Sequence, residues 1–171
     1  MCKTILSVAA ATALAAAALV APGVADAATS RTNYVLATGV CQPATPLQLG
    51  GLRFRPLGIF NNKPTSIYVS CALETEFVGD DNTTDIRIWF DNQGTAEQTV
   101  QCTAIGGRRG LGATSVAGET TLAADVEGSL TFTDLGRVST SFSAFAISCL
   151  VPPKVEMGLI RIFEEDVGDG L

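Results

Sequence analysis

The segment SIYVSCAL, residues 66–73, decides the fold class of this chain. Apolar side chains occupy every odd-numbered position from Ile67 to Leu73, and Tyr68, Ser70 and Ala72 fall between them. A period of two is typical of a β-strand with one face buried and the other in solvent. The segment therefore predicts a half-buried strand with Tyr68 on its outward face.

Similar alternation recurs along the chain between turn residues. In Asp85–Phe90 the two isoleucines and Phe90 share one face, and Trp89 falls on the other. After the N-terminal apolar run, no long stretch carries the 3.6-residue stripe of an amphipathic helix. The other expected strands are 33–37, 52–60, 99–105, 120–124, 129–133, 143–151 and 155–163. We expect an all-β fold of about eight or nine strands, an antiparallel β-sandwich or jelly-roll.

The N-terminus has the parts of a secretory signal. Lys3 precedes an apolar stretch from Ile5 to Val20, and Ala25-Asp26-Ala27 offers a small-residue cleavage site. The apolar stretch, about 16 residues long, is shorter than the roughly 20 that span a bilayer. We expect residues 1–27 to be a cleaved signal peptide and the protein to be secreted or periplasmic, with no membrane span after cleavage.

The rest of the chain is expected to form one unit. Its length, about 144 residues, suits a single domain. We expect a β-sandwich domain over 28–163 and an acidic flexible tail over 164–171. The formal net charge of the chain is −6, which does not match a phosphate backbone, so nucleic acid is not an expected partner. The oligomeric state stays open.

Four cysteines follow the signal, namely Cys41, Cys71, Cys102 and Cys149. An even set in an exported chain favours disulfides, since a metal site would need Cys-x-x-Cys spacings or histidines. Three pairings are conceivable. We favour Cys41–Cys71 with Cys102–Cys149, because Cys102 and Cys149 each lie in the middle of an expected strand with similar neighbours.

The chain contains no histidine, which excludes Ser-His-Asp and Cys-His catalysis. A glycosidase needs only a pair of carboxylates. Candidates for such a pair are Glu74, Glu76, Asp85, Asp91 and Glu97. Because acidic β proteins carry such pairs on their solvated surfaces, we expect a protein that is not an enzyme and uses no cofactor.

The densest group of oxygen ligands is Asp80, Asp81, Asn82 and Asp85. Calcium prefers this chemistry, but the group lacks the glycine and distal glutamate of an EF-hand loop. An ordinary Asx-rich turn is the interpretation that we favour, so no metal site is expected. Arg108-Arg109, in a glycine-rich stretch, could bind an anionic partner, but we favour the interpretation that both arginines are solvated.

Two aromatic side chains are the ligand candidates. Trp89 is the only tryptophan of the chain, and Trp89 and Tyr68 are both expected on outward faces. Side by side, they would form a flat apolar platform for a ligand such as a glycan. The alternative is that Trp89 packs beneath a loop, because large aromatic side chains are usually well buried.

The surroundings of the four cysteines carry one resemblance. The matching segments are 39–43 (GVCQP), 69–71 (VSC), 100–103 (VQCT) and 148–152 (SCLVP), together with an isoleucine-rich last strand. The chain resembles a group of small secreted four-cysteine β-sandwich proteins of Gram-negative bacteria that have no assigned function. The resemblance implies a sandwich with two disulfides and brings no catalytic residue.

The favoured interpretation is a non-enzymatic secreted or periplasmic β-sandwich that binds a polysaccharide or a protein partner at its surface. One alternative is a carboxylate-dependent carbohydrate-active enzyme. Another is a structural subunit of a pilus or extracellular matrix, which would assemble by adding strands at sheet edges.

Overall fold

The computed structural model describes residues 29–73, 83–107, 113–133, 135 and 144–166. These residues form eleven strands: β1 (Thr29–Leu36), β2 (Cys41–Pro43), β3 (Leu52–Arg55), β4 (Gly58–Asn61), β5 (Ile67–Leu73), β6 (Thr83–Asn92), β7 (Gln98–Gly107), β8 (Ala113–Leu122), β9 (Val126–Phe132), β10 (Ala144–Val151) and β11 (Val155–Asp166). A helical turn, Ala37–Val40, and a 3₁₀ helix, Pro46–Gly51, flank β2. Among the described residues, no helix is long and apolar enough to cross a membrane.

Several expectations fall on other parts of the chain. The expected signal peptide 1–27, Glu74, Glu76, Asp80, Asp81, Asn82, Arg108, Arg109 and residues 167–171 all lie outside the described residues. The interpretations favoured for these residues, namely solvated carboxylates, an Asx-rich turn and a solvated arginine pair, therefore stay predictions.

The strands form two antiparallel sheets, which confirms the expected all-β sandwich. The six-stranded sheet has the order β3-β4-β11-β6-β9, and β1 pairs with the part of β11 beyond β4. The five-stranded sheet has the order β2-β5-β10-β7-β8. The described strands outnumber the eight or nine expected, because Cys41–Pro43 forms an additional short strand and the segment 52–60 forms two strands.

Two strand boundaries differ from the expectation for physical reasons. Pro56 has no backbone donor, and the chain turns at Pro56-Leu57 to pair β3 with β4 as a hairpin. The last strand continues to Asp166, three residues past the expected end at Phe163, because β1 and β6 both pair with it there. Glu164 is accordingly only 2% exposed rather than part of a solvated tail.

The apolar core lies between the two sheets. In β5, the side chains at alternate positions from Ile67 to Leu73 are buried, whereas Tyr68 is 52% exposed, as the alternation predicted. The opposing sheet contributes Ile86, Ile88 and Phe90 from β6. The pleat of each sheet therefore leaves one outward face on each side of the sandwich.

Both disulfides lie on the core side of the five-stranded sheet. Cys41 pairs with Cys71 across β2 and β5, and Cys102 pairs with Cys149 across β7 and β10. This is the pairing favoured from the similar strand positions of Cys102 and Cys149. Each bond joins residues that lie directly opposite in neighbouring strands, so it holds those strands in one register.

A buried asparagine connects the sheets at the end of β6. Asn92 is 0% exposed, and the two hydrogens on its Nδ2 are shared among the carbonyl oxygens of Ala96 (2.9 Å), Leu122 (3.2 Å) and Ala123 (2.9 Å). Its Oδ1 accepts one from the N–H of Gly94 at 3.0 Å. One side chain thus satisfies backbone groups of its own turn and of the end of β8.

Asn61 repeats this arrangement at the end of β4. It is also 0% exposed, and its Nδ2 donates to the carbonyl oxygens of Thr65 and Val151, both at 2.9 Å. Its Oδ1 accepts a hydrogen bond from the N–H of Lys63 at 2.9 Å. The ends of β4 and β10, which belong to different sheets, are therefore joined in the same way as those of β6 and β8.

Candidate ligand-binding grooves

The structure places Tyr68 and Trp89 on opposite sides of the sandwich. Tyr68 lies in β5 and faces outward from the five-stranded sheet, whereas Trp89 lies in β6 of the six-stranded sheet. The expectation that the two rings stand side by side is therefore wrong. Alternation assigns the faces of a single strand but does not say which sheet the strand joins. Each ring instead lines its own groove.

The first groove, which we call the Tyr68 groove, crosses the outer face of the five-stranded sheet. Its volume is about 420 Å³, and its lining side chains include Tyr68, Gln101, Thr103, Glu119, Ser148 and Leu150. These residues come from β5, β10, β7 and β8, four consecutive strands. The groove is thus a property of the sheet surface rather than of loops.

Small side chains make the floor of the Tyr68 groove. The cross-strand register sets Ser70 opposite Ser148, Ser148 opposite Thr103, and Thr103 opposite Ala117. The hydroxyls of Ser70 and Ser148 are 3.4 Å apart. Because none of these side chains rises far above the pleat, the row leaves a trough whose floor offers hydroxyl donors and acceptors without charge.

Larger side chains line the neighbouring row. Tyr68 lies opposite Leu150, Leu150 opposite Gln101, and Gln101 opposite Glu119. Gln101 Nε2 donates to Glu119 Oε2 at 3.3 Å, so amide and carboxylate are held together at the far end from Tyr68. This row therefore carries an exposed aromatic ring at one end and a paired donor and acceptor at the other.

The second groove, the Trp89 groove, lies on the outer face of the six-stranded sheet. Its volume is about 430 Å³, and its lining side chains include Leu36, Leu57, Leu159, Trp89, Asp91, Glu127 and Glu156. The register of β11 against β6 shifts between Met157 and Ile160, so Gly158 and Leu159 together face Trp89. This bulge turns Leu159 toward the groove beside the half-buried indole.

One end of the Trp89 groove is acidic. Glu156, Asp91 and Glu127 lie opposite one another on the neighbouring strands β11, β6 and β9. Glu156 forms an ion pair with Arg55, with 2.6 Å between its Oε2 and the arginine Nη1. Gln93 Nε2 donates to Asp91 at 2.9 Å and to Glu156 at 3.0 Å.

Outside the lining of the groove, a cation lies on the side of Trp89 away from the carboxylate row. The guanidinium of Arg87 lies 5.5 Å from the centroid of the Trp89 ring and donates from Nε to the hydroxyl of Thr131 at 3.1 Å. Tyr34 follows on β1, opposite Arg161. The indole is therefore held between a cation on one side and a row of carboxylates on the other.

The remaining carboxylates considered for catalysis are dispersed. Asp85 lies on β6 opposite Phe163, and Glu97 is exposed in the turn before β7. Of the three candidates that the structure describes, Asp91 alone lines one of the two grooves. Among the described residues, no group of three or more histidine, cysteine or acidic side chains is placed to hold a metal ion.

Four groove residues escaped the sequence argument: Gln101, Glu119, Glu127 and Glu156. Gln101 and Glu156 fall within the expected strands 99–105 and 155–163, whereas Glu119 and Glu127 precede the expected strands 120–124 and 129–133, because β8 and β9 begin earlier than predicted. Their meeting depends on the register between strands, which places residues far apart in sequence directly opposite one another. No signal in the sequence fixes that register before the disulfides and strand order are known.

Among known proteins, the chain matches solved structures only. No protein-family model matches the chain, and no curated protein matches it significantly. Three solved structures are similar in part. One shows TmCBM61 in complex with β-1,4-galactotriose; it is 12% identical with a TM-score of 0.36, and the match covers 79% of this chain and 84% of that one.

The second is described as "CBM4 structure and function", with 10% identity, a TM-score of 0.39, and coverage of 77% of this chain and 81% of that chain. The third comes from work on carbohydrate-binding modules of the β-sandwich superfamily; it is 11% identical with a TM-score of 0.36, covering 84% of this chain and 56% of that one. At these values we transfer no residue role, ligand or activity to this chain.

Proposed function

We propose that this protein binds a neutral polysaccharide chain in the Tyr68 groove and does not cleave it. The observation that carries the proposal is the trough of small uncharged side chains across four strands, bordered by an exposed tyrosine ring. Binding sites of this kind need an apolar surface for shape and a few polar groups for orientation.

The chemistry of the lining matches a sugar ring. The flat face of Tyr68 is apolar and its hydroxyl is polar, which suits a pyranose whose C–H face is apolar and whose rim carries hydroxyls. At the other end of the row, Gln101 offers donors and Glu119 offers acceptors, and adjacent sugar hydroxyls need both. The uncharged floor gives no reason to prefer an acidic sugar.

The length of the groove suits more than one sugar unit. It crosses the strands from β5 to β8, and three strand spacings amount to about 14 Å. That is the length of a short oligosaccharide rather than of a monosaccharide. A chain lying across the strands would contact Tyr68 at one end and Glu119 at the other.

Cleavage in this groove lacks a catalytic pair. Both retaining and inverting glycoside hydrolysis ordinarily use two carboxyl groups that flank the scissile bond. Of the side chains that line the Tyr68 groove, Glu119 is the one carboxylate. We therefore propose binding without hydrolysis, in a secreted or periplasmic protein like the four-cysteine group that the chain resembles. The two disulfides are typical of an oxidising compartment.

The test is affinity electrophoresis of the purified protein in gels that contain neutral polysaccharides of different linkage. Tyr68→Ala should weaken binding about tenfold, since a stacked ring contributes on the order of 1 kcal/mol beyond its buried area. Tyr34→Ala is the matched control, because Tyr34 is equally exposed (57%) on the other sheet. Retardation by no polymer, or equal retardation of both variants, would contradict the proposal.

Release of reducing sugar would instead support the enzyme alternative. The described carboxylates that lie opposite one another are in the Trp89 groove, where Asp91 faces Glu127 and Glu156. An activity that disappears in Asp91→Asn but survives in Tyr68→Ala would locate hydrolysis there. It would also overturn the assignment of a purely binding role.

A further inference from the structure

The Trp89 groove combines features that the Tyr68 groove lacks. We propose that it docks an extended protein segment in which an apolar side chain and a lysine or arginine are two residues apart. This inference goes beyond polysaccharide binding and uses different residues on the opposite sheet, so either proposal can fail without the other.

The apolar half of the groove contains aliphatic side chains that are exposed to solvent. Leu57, at the tip of the β3–β4 hairpin, is 71% exposed, and Leu36 is 37% exposed. They stand around the half-buried Trp89. Apolar side chains gathered at the surface and bordered by charges are typical of protein interaction sites, where aromatic anchors contribute most of the binding energy.

The acidic half of the groove supplies the charge that selects the partner. Three carboxylates lie in one cross-strand row, and like charges in this position destabilise a sheet. Arg55 compensates Glu156, whereas Asp91 accepts a hydrogen bond from the amide of Gln93 and forms no ion pair with a cation among the residues that the structure describes. The row therefore keeps an excess of about two negative charges that an incoming cation would relieve.

The spacing of the two halves defines the segment. Trp89 and Asp91 are two residues apart on one face of β6, which corresponds to about 7 Å. An extended peptide also repeats its side chains on one face every two residues, over the same distance. An apolar residue over Trp89 therefore brings a residue two positions away in the segment over the carboxylate row.

Other ligands fit this lining less well. The charged side chains that line the groove are all carboxylates, which accept hydrogen bonds but do not donate them when ionised, and the indole N–H of Trp89 is the one side-chain donor among the lining residues. Sugar hydroxyls need both kinds of partner, and the described acidic residues do not converge on a metal position. An ammonium or guanidinium group needs only acceptors, and it can also lie against the indole face.

The test uses the intrinsic fluorescence of Trp89, the only tryptophan of the chain, as a reporter located in the groove. The lysine–leucine probe is a short synthetic peptide in which leucine and lysine take turns at the odd-numbered positions and serine fills the even-numbered ones, so that each leucine has a lysine two residues away on the same face. In the two control peptides, glutamate replaces lysine (the glutamate–leucine peptide) or serine replaces leucine. We expect a saturable emission shift with the lysine–leucine peptide that weakens as salt is raised.

Charge variants of the protein give the matching arm of the experiment. Glu127→Lys should weaken peptide binding about tenfold, because it reverses an exposed charge at the edge of the groove without disturbing the core. Glu119→Lys is the control, since it makes the same exposed change on the opposite sheet and should leave peptide binding intact. Tyr68→Ala should likewise leave it unchanged.

Several results would overturn the proposal. They are absence of a shift with the lysine–leucine peptide, an equal shift with the glutamate–leucine peptide, or equal weakening by Glu127→Lys and Glu119→Lys. Concentration-dependent self-association abolished by Leu57→Ala would identify a second copy of the chain as the occupant instead. An emission shift produced by neutral oligosaccharides and lost in Glu127→Lys would identify a second sugar site.

Discussion

Replacing Asn92 by alanine tests whether the buried asparagines hold the two sheets together. The substitution removes four hydrogen bonds, three donated to backbone carbonyls and one accepted from the N–H of Gly94. The carbonyl of Leu122 then remains buried, whereas those of Ala96 and Ala123 are partly buried and can reach water. The free-energy cost of losing the hydrogen bond is therefore larger for the Leu122 carbonyl than for the other two.

The expected cost follows from those four groups. A buried polar group left without a partner costs about 1–3 kcal/mol, and each partly buried hydrogen bond contributes about 0.5–1.5 kcal/mol. Summed over one buried and three partly buried bonds, these ranges predict a loss of about 2.5–7.5 kcal/mol in the free energy of unfolding. For a domain of this size the melting temperature should fall by roughly 10–25 °C. Such a loss is a large part of the 5–15 kcal/mol that typically stabilises a domain.

Urea unfolding with the disulfides intact, followed by the fluorescence of Trp89, measures the effect. The midpoint should fall while the dependence of the free energy on urea stays constant. Asn62→Ala is the matched control. Asn62 is an exposed asparagine that follows the buried Asn61 in the corresponding turn after β4, so its replacement should cost less than about 0.5 kcal/mol. If Asn92→Ala is no more destabilising than Asn62→Ala, the reasoning is refuted.

Asn92→Asp adds a pH signature to the same site. An ionised carboxylate would oppose three carbonyl oxygens where the amide donates, so burial should raise the pKa of the introduced carboxyl above its unfolded value of about 3.9. A group whose pKa is raised by folding favours the folded state most at low pH. The variant should thus lose stability relative to the wild type as pH rises from about 4 to 7. A deficit independent of pH would contradict this account.

Two further predictions concern the five-stranded sheet. Replacing both Cys102 and Cys149 by alanine should lower the free energy of unfolding by about 4 kcal/mol, because the bond closes a loop of 47 residues; a loss below about 1 kcal/mol in urea unfolding would contradict it. Gly106→Ala should cost about 1–3 kcal/mol, since the new Cβ would come within 2.8 Å of the Leu135 carbonyl oxygen. Gly50→Ala, which meets nothing within 4 Å, is its control in the same melts.

Sequence reasoning was strongest where a single strand carries the information. The alternation of residues 66–73 placed four apolar side chains in the core and Tyr68 outside, because pleating alone determines which side of a strand a residue takes. It failed for the relation between Tyr68 and Trp89, since sheet membership depends on strand order. The sequence indicates that Asn92 belongs to a turn, but its burial depends on the end of β8, which packs beside it.

The candidate sites depend on the register between paired strands, and for this reason the sequence alone did not predict which of their residues meet. The meeting of Gln101 with Glu119 needs β7 and β8 to be paired in one alignment. A shift of that pairing by a single residue would turn the outward side chains of one strand toward the core. The sequence predicted the outward faces, and the structure was needed to say which outward residues are neighbours.

The position of one disulfide connects stability with the proposed function. Cys102 lies between Gln101 and Thr103, and Cys149 lies between Ser148 and Leu150, so the bond on the core side is directly beneath the Tyr68 groove. By holding β7 and β10 in register it also fixes the groove's floor and its larger row. A preorganised site loses less conformational entropy when a ligand binds.

The double variant Cys102→Ala and Cys149→Ala should therefore lose affinity for a neutral polysaccharide under conditions in which it remains folded. We expect a decrease of about two- to fivefold, which corresponds to about 0.5–1 kcal/mol of additional ordering on binding. Peptide binding in the Trp89 groove should be unchanged, because that groove belongs to the other sheet. Equal losses at both grooves would mean that the bond acts through global stability, and its placement beneath the Tyr68 groove would then have no separate effect on binding.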